Sequence, residues 1–344
     1  MKTITLEKPG KFVLGETPAP SDSHALTPGD ALVRVRRVGV CGTDISAYRG
    51  KQPFFSYPRV LGHELGVEIV ALNDGGATGL KFGDKCSVEP YINCGKCIAC
   101  RNNRPNCCVN LKTLGVHVDG GMTEFMSVPA RKLHASPVLS LDQLALVETL
   151  GIGAHAVDRA KLQAGETVLV IGAGPIGLSV VQFAQLENVN LIVMDVSAAR
   201  LEFCASLFKV PHQISALNIE KAFEELKALT KGDMPTVVFD ATGNLNSMMN
   251  AFRCTAHGGR LVFVGLAIGE VTFSDPDFHR RELTLMATRN STPSDFKRII
   301  HLIESGRIDT TPWITHRASA EAMPGEFENW LKPESKCIKA MVEF

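Results

Sequence analysis

Residues 167–177, TVLVIGAGPIG, leave few folds open to the chain. The apolar run has no polar alternation, so as a strand it must be covered on both faces, as in parallel sheets clothed by helices. It ends in Gly172-Ala173-Gly174-Pro175-Ile176-Gly177, which fits G-x-G-x-x-G, and Ile176, Val180, Phe183 and Ala184 then recur at helical spacing. In that strand–turn–helix setting Gly172 permits a tight turn, Gly174 lets a pyrophosphate approach the backbone, and Gly177 lets the helix pack closely. Pro175 suits the first helical turn, where its missing N–H costs little. The helix N-terminus offers free N–H donors and a positive dipole end to the phosphates. Asp195 ends the next apolar run, NLIVMD, where a carboxylate can hold the adenosine ribose hydroxyls. It would repel a 2′-phosphate, favouring NAD over NADP, although Arg200 nearby could neutralise one. Gly265, closing RLVFVG, joins this candidate cofactor set. The plainer alternative is a glycine-rich turn of another α/β protein with Asp195 merely solvated; strand, helix, acid and spacing together argue against it.

The same rhythm continues through SAARLEFCASLF, TVVFD (236–240) and RLVFVG (260–265), predicting a doubly wound parallel sheet over residues 151–290. The chain before residue 150 reads differently. ALVRVRRVGV (31–40), LGVEIVAL (65–72) and CSVEPYI (86–92) are short β patterns parted by NDGG and KFGD, which suggests a barrel-like β domain. Beyond residue 290, SDFKRIIHLIESG predicts a helix capped at Gly306, and KCIKAMVEF a strand that could return to the first domain. At 344 residues, two domains are the natural expectation.

Lys plus Arg and Asp plus Glu both number 36, so charge gives no reason to expect a nucleic acid or an anionic membrane as partner. No uncharged stretch has the length of a spanning helix, the first residues lack the apolar core of a signal peptide, and a cytoplasmic protein is expected. Ten cysteines are many for that compartment, and six lie between Cys86 and Cys108. Cys94, Cys97, Cys100 and Cys108, in a lobe of about residues 90–110, offer four thiolates for a closed structural zinc site that staples a loop. An iron–sulfur cluster takes the same ligands. Cys107 is a spare neighbour, with Cys108 chosen on spacing.

Cys41-Gly42-Thr43-Asp44 and Gly62-His63-Glu64 each follow a predicted strand. Taken singly, the cysteine and the histidine could be core residues. Together Cys41 and His63 suit a catalytic zinc, which needs a third protein ligand and an open position. Glu148 is the first candidate for that ligand and Glu64 the second, while Asp44 could hold His63 by a hydrogen bond.

GVCGTD, GHE, the four-cysteine lobe and GAGPIG occur in this order in zinc-containing medium-chain dehydrogenases, which the chain resembles over essentially its whole length. It departs from the branch with two cysteines and a histidine on the catalytic zinc. It is similar instead to the polyol-dehydrogenase branch, with a glutamate at the Glu148 position. The resemblance implies a GroES-like β-barrel catalytic domain built from residues 1–150 and 291–344, with a Rossmann NAD-binding domain inserted between. It further implies NAD and two zinc ions per subunit as cofactors, and a homodimer or homotetramer. RLVFVGLAIGEVTF could continue a sheet across a two-fold axis. QPFFSYPRVLGHE (52–64), GVHVDGGMTEF (115–125), FSDPDFHRRE (273–282) and TRNSTPSDF (288–296) resemble bacterial hexonate dehydrogenases, those of L-galactonate and L-gulonate.

The resemblance thus implies hydride transfer from a secondary alcohol of a sugar acid, at C5 of a hexonate, to NAD. The zinc would act as a Lewis acid and Thr43 would pass the hydroxyl proton outward. Many relatives carry a histidine where this chain has Ser46, so the onward route of the proton is open. The substrate carboxylate calls for a cation: Arg289 is the first candidate, with a cofactor contact or an exposed ion pair as its alternative, and His117 could add a hydrogen bond. Arg280 and Arg281 are expected at the surface. Tyr48 and Phe54 could line the pocket or belong to the core. Neutral polyol oxidation and L-threonine oxidation are the competing activities. A zinc-binding module leaves the glycine fingerprint unexplained, and a zinc-free quinone reductase does not predict the cysteine lobe.

Overall fold

The structure, a computed structural model, describes residues 1–20, 26–53 and 55–344; Phe54 lies outside them. The chain divides into two compact units, one made of Met1–Glu148 with Thr292–Phe344, the other of Thr149–Ser291.

The first unit is built on a seven-stranded sheet in the order Leu133–Ala135, Lys85–Val88, Glu64–Leu72, Asp30–Gly39, Lys339–Glu343, Ile314–Ser319, with Phe125–Pro129 also paired to Asp30–Gly39. Alternation in the central strands is what buries one face. Ala31, Val33 and Val35 meet Leu65, Val67 and Ile69 in a single apolar cluster. The last strand runs antiparallel to Asp30–Gly39, pairing Met341 with Gly39, while Gly39 faces Glu64 on its other side. The chain's tail therefore arrives beside the residues that follow Gly39.

The run CSVEPYI is not one strand. Lys85–Val88 stays in the large sheet, whereas Tyr91–Ile92 pairs with Lys112–Thr113 in a separate ribbon. Pro90 stands at the break, and a proline cannot donate to a ladder. That ribbon grips both ends of the cysteine lobe. The helix expected beyond residue 290 spans Pro293–Glu304. Thr292 caps it, with Asp295 accepting from Thr292 N–H at 2.8 Å, and Gly306 leaves it in the left-handed region at φ 67°.

The second unit is a six-stranded parallel sheet, ordered His212–Ser215, Asn190–Asp195, Thr167–Ile171, Val237–Asp240, Arg260–Phe263, Thr284–Ala287. The order reverses between Thr167–Ile171 and Val237–Asp240, the switch point where open α/β sheets take ligands. Within this one chain the run RLVFVGLAIGEVTF is a strand only at its start. Its strand stops at Phe263, the residues after it form no strand, and Thr284–Ala287 is the edge of the sheet instead. Arg281 is also not a surface charge. It is 8% exposed and bonds Asp277 and the Thr255 carbonyl, while Arg280 is exposed. Among the described residues no helix is long and apolar enough to cross a membrane.

Candidate active site and metal centres

Cys41 caps the short helix Gly42–Tyr48, which contains Thr43; Glu64 opens the strand Glu64–Leu72, and His63 stands just before it. Strand pairing therefore brings the two motifs together. One ligand atom from each of Cys41, His63 and Glu64 lies within 4.8 Å of the others. Behind them Asp44 accepts from Cys41 N–H at 2.9 Å and has Oδ1 3.9 Å from His63 Nδ1. That distance is an ion-pair approach, longer than the expected hydrogen bond. Both atoms are buried without a hydrogen-bond partner among the described residues.

Two anchors hold the carboxylates. Glu64 receives Lys339 Nζ on both oxygens at 2.7 Å, and Tyr91 donates to Glu148 Oε1. Glu148 is not a member of that three-residue group, but it is near enough for the charges of His63, Glu64 and Lys339 to act on its buried carboxyl. Burial pushes the carboxyls of Asp44 and Glu148 upward, against the pull of His63. For His63 burial works the other way, but Cys41 and Asp44 outweigh it and hold the imidazole well above its usual value. Lys339 is likewise raised, with Glu64 and Cys41 overcoming burial. A thiol, an imidazole and carboxyls in so negative an enclosure fit a bound divalent cation, and this donor set suits zinc.

In the lobe, Cys94, Cys97, Cys100 and Cys108 bring their sulfurs within 4.8 Å of one another. Cys107 lies in the 3-10 turn Pro105–Cys107 and is not part of that group. Main-chain N–H groups of Cys100 and Val109 hold the Cys97 thiol down at about 6, which favours the thiolate a metal needs, whereas burial pushes Cys108 up to about 11. Four sulfurs offer a closed coordination shell, the arrangement of a structural site.

In the second unit Gly172 takes φ 95° directly after its strand, and a Cβ at Gly177 would stand 1.6 Å from the Gly172 carbonyl oxygen. Only glycine permits that approach of helix and strand. The helix Pro175–Gln185 carries Pro175, Ile176 and Gly177 in its first turn. Asp195 accepts from Ala173 N–H at 2.6 Å and Ser197 N–H at 2.7 Å, so the carboxylate braces the glycine turn itself. The Arg200 guanidinium lies 3.5 Å from where a Cβ of Gly174 would be, and Gly265 packs on Gly243 after its strand.

The other candidates are not members of either ligand group. His117 is exposed, its Nδ1 accepting from Thr113 N–H at 3.1 Å, and Arg289 is exposed in the second unit just beyond Thr284–Ala287. Tyr48 is core: its ring lies 5.3 Å from Phe12 and 4.8 Å from Phe327, and its hydroxyl donates to Glu328 at 2.8 Å. Sequence reading missed Lys339 and Tyr91. A lysine inside the apolar run KAMVEF is a signal for the first, since a buried ammonium requires an acid; nothing local marks the second.

Comparison with known proteins agrees with this picture. Residues 27–138 match the alcohol dehydrogenase GroES-like domain and residues 175–305 the zinc-binding dehydrogenase domain. L-galactonate-5-dehydrogenase of Escherichia coli K12 is 40% identical over 346 residues, covering 100% of this chain and 99% of that protein. Sorbitol dehydrogenase of Bacillus subtilis is 30% identical, covering 99% and 97%. The alcohol dehydrogenase RspB of E. coli CFT073, solved with NADH, superposes with a TM-score of 0.91 at 30% identity, covering 100% and 99%. The chain belongs to the zinc-binding medium-chain alcohol dehydrogenase family. It is an oxidoreductase with zinc and a nicotinamide dinucleotide as cofactors, close to the hexonate 5-dehydrogenases.

Proposed function

We propose that this enzyme oxidises a secondary alcohol of a sugar acid, C5 of a hexonate such as L-gulonate or L-galactonate, with NAD as acceptor. The observation that carries the reading is the identity of 40% with an L-galactonate-5-dehydrogenase along the entire chain. In the proposed site Cys41, His63 and Glu148 are the zinc ligands. Glu64 is the weaker choice for the third, because both its oxygens are already engaged by an ammonium.

Zinc would supply Lewis-acid polarisation of the substrate hydroxyl, and the nicotinamide ring would accept the hydride. The remaining work falls to side chains. Asp44 opposes His63 and holds the N–H of Cys41, keeping both ligands in place. Lys339 neutralises Glu64, and Tyr91 orients Glu148. Thr43 takes the hydroxyl proton outward. Arg289, with His117, is the proposed partner of the substrate carboxylate. Asp195 selects NAD by holding the ribose hydroxyls, and Arg200 crosses the turn at Gly174.

Initial rates of NADH formation with hexonates, neutral polyols and L-threonine, repeated with NADP, test the proposal. Turnover selective for a hexonate with NAD supports it. Preference for sorbitol would keep the zinc chemistry and remove the carboxylate role of Arg289; robust turnover after complete zinc removal would refute the mechanism.

A further inference from the structure

The sulfurs of the lobe accept hydrogen bonds from the main chain and from a side chain. Main-chain N–H groups serve three of them: those of Lys96 and Cys97 at Cys94, of Cys100 and Val109 at Cys97, and of Cys94 and Asn110 at Cys108. At Cys100 a side chain donates, Asn93 Nδ2 at 3.6 Å. An amide can present either its oxygen or its nitrogen, and here a residue outside the lobe decides which. Arg131 Nη1 donates to Asn93 Oδ1 at 3.1 Å. A guanidinium has no acceptor, so the amide oxygen must face Arg131 and the NH₂ is left for the sulfur. The flipped amide would set NH₂ against guanidinium and oxygen against thiolate.

Arg131 is itself well founded. It lies in the turn Ala130–Lys132, between the strands Phe125–Pro129 and Leu133–Ala135. Its neighbour Lys132 is buried and bonded to the buried Glu89, which also faces His134 Nε2 at 3.4 Å; the His134 ring stacks on Phe296. Lys132 also lies within the field of Cys100. The bonded Lys132–Glu89 pair thus anchors the turn from which Arg131 reaches Asn93.

We propose that Arg131 and Asn93 are positioning residues for the structural metal: Arg131 fixes the Asn93 amide, whose N–H stabilises the Cys100 thiolate and slows loss of the zinc. Outer partners of metal ligands commonly change affinity by about 10–100-fold. The experiment uses full-length zinc-loaded protein in a Cys41→Ser background, so that zinc leaving to a chromogenic chelator comes from the lobe. Asn93→Leu and Arg131→Met should each speed release about tenfold or more. The double variant should be no faster than Asn93→Leu alone, because Arg131 acts through Asn93, and Arg131→Lys should restore part of the effect. With cobalt(II) in the lobe, both variants should move the sulfur-to-metal charge-transfer band to longer wavelength, since a sulfur that loses a hydrogen bond is the better electron donor. Release within twofold of the parent in both single variants, or an unmoved band, overturns the proposal. Additive effects overturn the coupling of Arg131 to Asn93. Should Asn93→Leu fail to fold, the exposed Arg131→Met still decides the matter.

Discussion

Lys339 Nζ stands 2.7 Å from both carboxylate oxygens of Glu64, a residue 275 positions earlier in the chain. Neither is more than 1% exposed. Gly39, paired with Glu64 across the ladder, makes the room: a Cβ there would lie 2.1 Å from Glu64 Oε2. The ammonium also donates to the Val40 carbonyl at 3.3 Å, so the tail strand is tied to the start of the catalytic motif as well as to the acid.

Removing one partner of such a pair strands the other charge in the interior, which costs about 3–5 kcal/mol. Lys339→Met should therefore lower the melting temperature markedly, and adding Glu64→Gln should recover much of the loss. Thermal unfolding of both variants checks this; a single variant as stable as the parent would show that the pair contributes little.

Glu148 and Glu64 are separated by a metal count. Glu148→Ala should leave one zinc per chain, that of the lobe, and lower kcat/KM by at least about 100-fold. Tyr91→Phe, which removes only the donor to Glu148, should weaken the catalytic zinc by roughly tenfold. Metal analysis after dialysis, alongside steady-state rates, provides the measurement. Retention of both zincs by Glu148→Ala would move the third ligand to Glu64.

Asp195 has two tasks, bracing the Ala173 turn and, by proposal, binding ribose. Hydrogen bonds to charged groups contribute about 1.5–3 kcal/mol. Asp195→Ala should raise the KM for NAD about 10–100-fold by that energy, and raise the NADP-to-NAD activity ratio as well. Kinetics with both cofactors checks it, and an unchanged ratio would deny Asp195 the selecting role.

Asp142 yields a pH effect. Burial pushes its carboxyl up, but hydrogen bonds from Arg317 and Arg37 prevail and hold it below its ordinary 3.8. The folded protein then keeps this group ionised to lower pH than the unfolded chain does. Its stabilisation is present above about pH 3.8 and is lost as the pH falls through the depressed value. Asp142→Asn should melt below the parent at neutral pH, and the gap should close in strong acid; melting curves across that range show whether it does.

The sequence by itself determined whatever depends on neighbours along the chain. The run TVLVIGAGPIG carries its strand, its turn and its helix start within 11 residues, and the four cysteines span 15. Glycine conformations and short ligand spacings are local properties, so both were legible without coordinates. The split of CSVEPYI at Pro90 and the end of the RLVFVG strand were less so, because a β pattern states which side chains can be buried and not which partner strand exists. Only the tertiary structure decided that Lys339 neutralises Glu64, that Tyr91 holds Glu148, and that Arg131 orients the amide at Cys100. Each of these joins residues about 40 to 275 positions apart through pairing register and burial, where a charge or an amide is stable only if the fold delivers its partner.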